Sequence, residues 1–282
     1  MAQAATAPNV DDLARIAKEL RVDIIRMLVK AGSGHPGGSL SEIDMLTCLY
    51  FGGVLRYRPD EPDWPGRDRF VLSKGHCTPG FYSTLARAGY FDRELLWTFR
   101  EFGSALQGHP DRTRLAGVEV SAGSLGQGLS IATGMAISAR IDGADWHTYC
   151  MLGDGESQAG QVWEAVMTAG NAKLDNLTAI IDFNQVQQTG LVARIQDLEP
   201  LADKFRAFKW NAISIDGHDH AQCLNALNLA REHTGEPTVI ISRTLKGKGV
   251  SWMELDHDWH GKAPDEAQAE RAIEEILNGG AA

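Results

Sequence analysis

A chain of 282 residues, 43% hydrophobic and 23% charged, has the composition of a globular protein with a substantial core and not that of a disordered or fibrous one. Its formal net charge of -10 argues against a broad nucleic-acid or membrane-surface binder, because phosphate-rich partners attract basic faces. Cys48, Cys77, Cys150 and Cys223 form no CxxC pair, so neither a zinc knuckle nor a disulfide framework is indicated, and a reducing cytoplasm is the expected location.

Along the chain, the opening "MAQAATAPNVDD" lacks the basic-then-apolar order of an export signal, and no apolar run approaches the ~20 residues of a membrane span. From Asp11 to Lys30, Leu13, Ile16, Ala17, Leu20, Ile24, Met27 and Leu28 recur at three- and four-residue steps, which predicts an amphipathic helix ended at Gly32. The Pro-rich "YRPDEPDWPG" (57–66) reads as a surface loop. Strands are predicted at 69–73, 147–152, 177–183, 211–216 and 237–242, with helical stretches between most of them. Apolar strands alternating with helices imply an α/β fold, a parallel sheet covered on both faces. The absence of repeats and of an obvious linker makes residues 1–282 one expected domain.

One segment asks for more than a turn. In "CMLGDGESQAG" an apolar run meets Gly153-Asp154-Gly155, and Asn184 ends the next apolar run thirty residues later. That interval holds one turn, one helix and one strand, so Asp154 and Asn184 belong on adjoining strand ends, the edge where ligands bind in such sheets. The connecting helix should bury Val162, Trp163, Val166 and Met167. Asp and Asn oxygens together suit Mg²⁺ or Ca²⁺, and a diphosphate would complete the shell. A turn Asp and an unrelated strand-end Asn account for either residue alone; the pair on one edge favours the metal.

The segment "GDGESQAGQVWEAVMTAGNAKLDNLTAIIDFN" resembles the thiamine diphosphate motif in the form carried by transketolases. "SGHPGGSLSEID", "FVLSKGH", "LQGHPD", "SLGQGLSIATGMA", "KLDNL", "TLKGKGV" and "WHGKAP" follow in the order of a transketolase amino-terminal half. The resemblance implies a thiamine diphosphate-binding fold of the diphosphate-binding type. It implies Mg²⁺ held by Asp154, Asn184 and the Val186 carbonyl, with Ca²⁺ as a possible substitute. It places Gly155 against the diphosphate and assigns cofactor contacts to His76, Gly123, Leu125, Lys246 and His260. His35 and His109 would face the donor sugar, and His260 and His35 are the candidates for removing a hydroxyl proton.

Two departures from the family pattern stand out. Gly38 occupies the place of a cofactor-contacting Ser in some relatives, with Ser39 a candidate to replace it, and Ala159 stands where an interface Glu is common, near Glu164. Glu156 lies beside the motif, but nothing in the sequence assigns it the ring-activating role. The implied activity is transfer of a two-carbon ketol unit from a ketose, expected to be phosphorylated, to an aldose. The implied partner is a carboxy-terminal subunit carrying the pyrimidine-binding domain, in a heterotetramer. Another thiamine diphosphate enzyme, such as a 2-oxo acid dehydrogenase subunit, or a noncatalytic cofactor-binding subunit, would share the Asp–Asn core without needing the four His-containing motifs.

Overall fold

The computed structural model describes residues 9–279, so the first eight residues of the opening segment lie outside the described residues. The first helix, α1 (Val10–Ala31), begins where the Asn9 side chain accepts the Asp11 N–H and ends at Gly32, whose φ of 61° carries the chain out of the helix. The predicted apolar stripe is its buried face. Next comes α2 (Pro36–Phe51), started by Pro36 at a position where no N–H is needed and buried along nearly its whole length. Segment 57–66 is irregular, as expected.

The expected strands form as β1 (Arg69–Leu72), β2 (Thr148–Gly153), β3 (Leu177–Phe183), β6 (Asn211–Asp216) and β7 (Thr238–Arg243). Together they make one parallel sheet in the order β1-β2-β3-β7-β6. Alternate residues serve opposite faces: Tyr149, Met151, Ile180 and Ile240 enter one core, and Cys150, Leu152, Ile181 and Ile241 enter the other. The first core is closed by α1, α2, α3 (Thr78–Arg87), α8 (His220–Glu232) and α9 (Glu266–Asn278). The second is closed by α4 (Gly128–Asp142), α5 (Gly160–Asn171) and α7 (Leu201–Ala207). Burial on both faces explains why these strands read as apolar runs and not as alternating ones.

One packing expectation needs correction. On α5, Val162 and Val166 are buried and Trp163 is half-buried, but Met167 is exposed, because its turn of the helix faces away from the sheet. An element that the sequence did not signal lies after β3. A two-stranded hairpin pairs β4 (Val186–Gln187) with β5 (Gly190–Leu191), and the short helix α6 (Val192–Ile195) follows it. The four cysteines are free and buried. Among the described residues no helix is long and apolar enough to cross a membrane.

Candidate active site

Register brings the chemistry together. Gly153 lies opposite Asp182 on β3, and Asp182 lies opposite Ser242 on β7, so the carboxyl ends of three neighbouring strands emerge side by side. Asp154 is one residue past β2, Asn184 one past β3, and Lys246 three past β7. They line a cleft of about 210 Å³ with Gly38, His76, Cys77, Leu125, Gly155, Val186 and His260. A wider and more open depression of about 660 Å³ lies at the ends of β6 and β7, but it shares neither Asp154 nor Asn184.

Asp154 is 2% exposed, and its two oxygens accept the N–H groups of Gly155 at 2.7 Å and Gln185 at 2.6 Å. Burial, reinforced by the negative charge of Asp182, pushes its pKa up to about 6 despite those bonds. Gln185 presents its N–H from a left-handed conformation, φ 73°, uncommon for a residue with a side chain. This turn also places the Asn184 amide and the Val186 carbonyl beside Asp154, and Asn184 Oδ1 accepts only a long bond, 3.3 Å, from Val186 N–H. Three hard oxygens around an uncompensated carboxylate fit a divalent cation. Gly155 leaves the approach open, since a Cβ there would stand 3.0 Å from Gln187 Cβ.

The imidazoles converge as well. Ring centroids of His35 and His76 are 5.1 Å apart, those of His35 and His260 5.6 Å, and those of His76 and His260 5.2 Å. Burial, followed by the positive charges around them, depresses His35 and His260 to about 3 and His76 to about 4, so all three are neutral at physiological pH. Lys246 Nζ donates to the Val186 carbonyl at 2.8 Å and lies 2.6 Å from His260 Nδ1, and burial lowers its pKa to about 8. With Nδ1 of His260 accepting from Lys246, its Nε2 carries the hydrogen and faces outward as a donor. His109 stands at the rim, in an adjoining depression with Arg100, and its ring packs 3.3 Å from where a Gly123 Cβ would be. Gly123 has φ 151°, so that loop position favours glycine twice over.

The departures have structural readings. A Cβ on Gly38 would meet Cys77 Sγ at 2.5 Å, so Gly38 and Cys77 are a matched pair and a serine would need a smaller neighbour. Ser39 does not replace it: its hydroxyl donates to the His35 carbonyl at 2.8 Å, inside its own helix. Ala159 packs against Gly126, and Glu164 is exposed on α5.

Glu156 lies outside the sequence-derived site but has a definite job. Its carboxylate accepts from Gly126 N–H at 2.9 Å, Gly153 N–H at 3.1 Å and Ser73 Oγ at 2.5 Å, tying the Leu125 loop to the strand end. Lys74 and Asp182, both buried behind the cleft, were also missed. The available signal was a charged residue inside the apolar run "LTAIIDF", since a buried charge needs a partner.

Comparison with known proteins bears on what this arrangement is for. The family model for the transketolase thiamine diphosphate-binding domain matches residues 12–276. An apulose-4-phosphate transketolase subunit from Phocaeicola vulgatus is 41% identical over 268 residues, covering 95% of each chain. Subunit SqwG of the 6-deoxy-6-sulfo-D-fructose transketolase of a Clostridium strain is 43% identical over 270 residues, covering 96% of this chain and 98% of the relative. The transketolase structure from Campylobacter jejuni superimposes with a TM-score of 0.90 at 35% identity, covering 96% of this chain and 43% of that one. A neutral-imidazole cleft beside a GDG strand end, on a chain matched throughout its sheet and helices, therefore belongs to the transketolase family, with a thiamine diphosphate-binding domain.

Proposed function

We propose that this chain is the amino-terminal subunit of a split transketolase, moving a two-carbon ketol unit from a phosphorylated ketose to an aldose in complex with a carboxy-terminal subunit. One observation carries the reading: an oxygen set suited to a divalent cation and three neutral imidazoles open into the same cleft at the carboxyl edge of the sheet. Two relatives matched over nearly their whole length are named as subunits of transketolases, which supports a partner. Residues 1–282 form one unit of a heterotetramer in this proposal, and the free thiols favour the cytoplasm.

In this reading Asp154, Asn184 and the Val186 carbonyl hold Mg²⁺, which Ca²⁺ can replace. Gly155, His76, Gly123, Leu125, Lys246 and His260 contact thiamine diphosphate, whose ring supplies the nucleophilic carbon and the electron sink for carbon–carbon cleavage. The chain's own residues orient the sugar and handle protons. His260 Nε2 offers an N–H to a substrate oxygen while Lys246 holds Nδ1. His35, neutral and with a buried Nδ1 that makes no hydrogen bond to the protein, is the better placed acceptor for a hydroxyl proton. His109, at the rim, reads the donor from the side.

The test is reconstitution. The chain, purified free of host transketolase and saturated with thiamine diphosphate and Mg²⁺, should show no ketol transfer alone and should gain it when the partner protein is added. Robust transfer by the chain alone would sink the split-site reading, and 2-oxo acid decarboxylation by the complex would redirect it to another thiamine enzyme.

A further inference from the structure

Behind the cleft, on the side hidden from it, four elements meet on a single carboxylate. Asp182, the penultimate residue of β3 and 1% exposed, accepts Lys74 Nζ at 2.5 Å and Ser41 Oγ at 2.7 Å on Oδ2, and Thr244 Oγ1 at 2.5 Å on Oδ1. The fourth donor is the Asn184 amide: its Nδ2 gives a 2.9 Å bond to Asp182 Oδ2 and a longer one, 3.3 Å, to Ser41 Oγ. Lys74 also lies 2.9 Å from Glu42, but burial drives the Glu42 pKa well up, so the lysine's charge is matched by Asp182. Asp182 does not line the cleft.

This arrangement resolves an ambiguity that an asparagine ligand carries with it. The oxygen and nitrogen ends of a carboxamide are nearly the same size, and the wrong end toward a cation turns a ligand into a repulsive donor. The bond from Val186 N–H to Asn184 Oδ1 is too long to fix the choice strongly. An ionised carboxylate can only accept, so it must draw the amide nitrogen to itself and leave the oxygen facing the cleft. We propose that Asp182, held by Ser41, Thr244 and Lys74, is the positioning residue that sets the Asn184 amide for metal binding. The inference rests on the assignment of Asn184 as a metal ligand. It adds what makes that ligand's orientation single-valued, and hydrogen bonds behind metal ligands commonly set affinity.

The alternative is that Asp182 serves only as a counter-ion for Lys74 and acts on the fold at large. A thermodynamic cycle separates the two. In the assembled complex at fixed thiamine diphosphate, the Mg²⁺ concentration that half-saturates cofactor binding is measured by equilibrium dialysis for the parent, Asp182→Asn, Asn184→Ala, the double variant and Asp154→Ala. Asp182→Asn should raise that concentration about 10- to 100-fold. It should add no more than about twofold once Asn184 is already alanine, because its effect passes through that side chain. Ser41→Ala, a smaller change that keeps the buried charge pair, should raise it roughly threefold in the parent and leave Asn184→Ala unchanged, which keeps the proposal testable if Asp182→Asn fails to fold. Equal losses in both backgrounds, or no loss in either single variant, overturn the proposal. A normal Mg²⁺ requirement in Asp154→Ala instead overturns the metal site itself, a separate failure.

Discussion

Asp68, at the amino-terminal edge of the sheet, and Asp154, at its carboxyl edge, are 3% and 2% exposed, and each accepts two backbone N–H groups. Beyond that they differ in kind. Asp68 also receives the guanidinium groups of Arg56, at 3.1 Å, and Arg231, at 2.8 Å, so its charge is balanced within the fold. Asp154 makes no such ion pair; its neighbours lift its pKa, and the nearest cation, Lys246, bonds instead to Val186 and His260. One edge completes itself and the other is completed by something that binds. Folding stability and binding chemistry are therefore assigned to opposite ends of the same strands.

The largest effects should come from cutting each aspartate in turn. Asp154→Ala should abolish Mg²⁺-dependent cofactor binding in the assembled complex while leaving the stability of the chain within about 1 kcal/mol of the parent, since the loss of two N–H acceptors is offset by removing a desolvated charge. Asp68→Ala should do the reverse, costing about 3 kcal/mol in urea unfolding because two arginines lose their partner, with the Mg²⁺ requirement unmoved. Paired titrations and denaturation curves check both. A stability loss in Asp154→Ala as large as that in Asp68→Ala would break the comparison.

How much of this division could be read in the sequence follows from what determines each part. Strands such as "LTAIIDF" are legible because both faces are buried, and every residue carries that constraint in its own identity. Asp154 and Asn184 are legible because one crossover fixes their relation. The left-handed turn at Gln185, the hairpin after it and the convergence of Ser41, Lys74, Asp182 and Thr244 are not legible. They join residues up to 141 positions apart through three-dimensional packing, and no local pattern records that. The reading of Ser39 failed for a related reason. Its serine identity says that it makes a hydrogen bond, while only the α2 geometry says that the partner is its own helix.

A rim residue sharpens the contrast at intermediate size. His109 is about half-buried, in a loop, and its pKa is lowered mainly by burial and then by His76 and Arg100. Its ring packs beside Gly123 without supporting the sheet. His109→Ala should therefore lower kcat/KM for a ketose donor on the order of 10²-fold, with cofactor affinity changed no more than about threefold. Parallel kinetics and cofactor titration decide it. A drop confined to cofactor affinity would assign His109 to holding the Gly123 loop.

The smallest effect should appear in how stability varies with pH. His147, just before β2 on the Asp68 side, is buried with Nε2 2.8 Å from Thr178 Oγ1. Burial first, and then the positive charge of Arg231, lower its pKa to about 4 from an ordinary value near 6.5. Between those values the unfolded chain binds a proton that the folded chain refuses, so the contribution is fully favourable above pH 6.5 and is lost as pH falls toward 4. His147→Gln should flatten the slope of unfolding free energy against pH in that window by at most about 1.4 kcal/mol per pH unit, the equivalent of one proton. The histidines of the cleft share the same sign, but the charges of metal and diphosphate act on them directly. The flattening caused by His147→Gln should accordingly be the same with and without bound thiamine diphosphate and Mg²⁺. Urea denaturation of the assembled complex across pH 4–7, in both conditions, measures it, and a flattening that disappears when cofactor binds would show that the two edges of the sheet are electrostatically coupled and not divided.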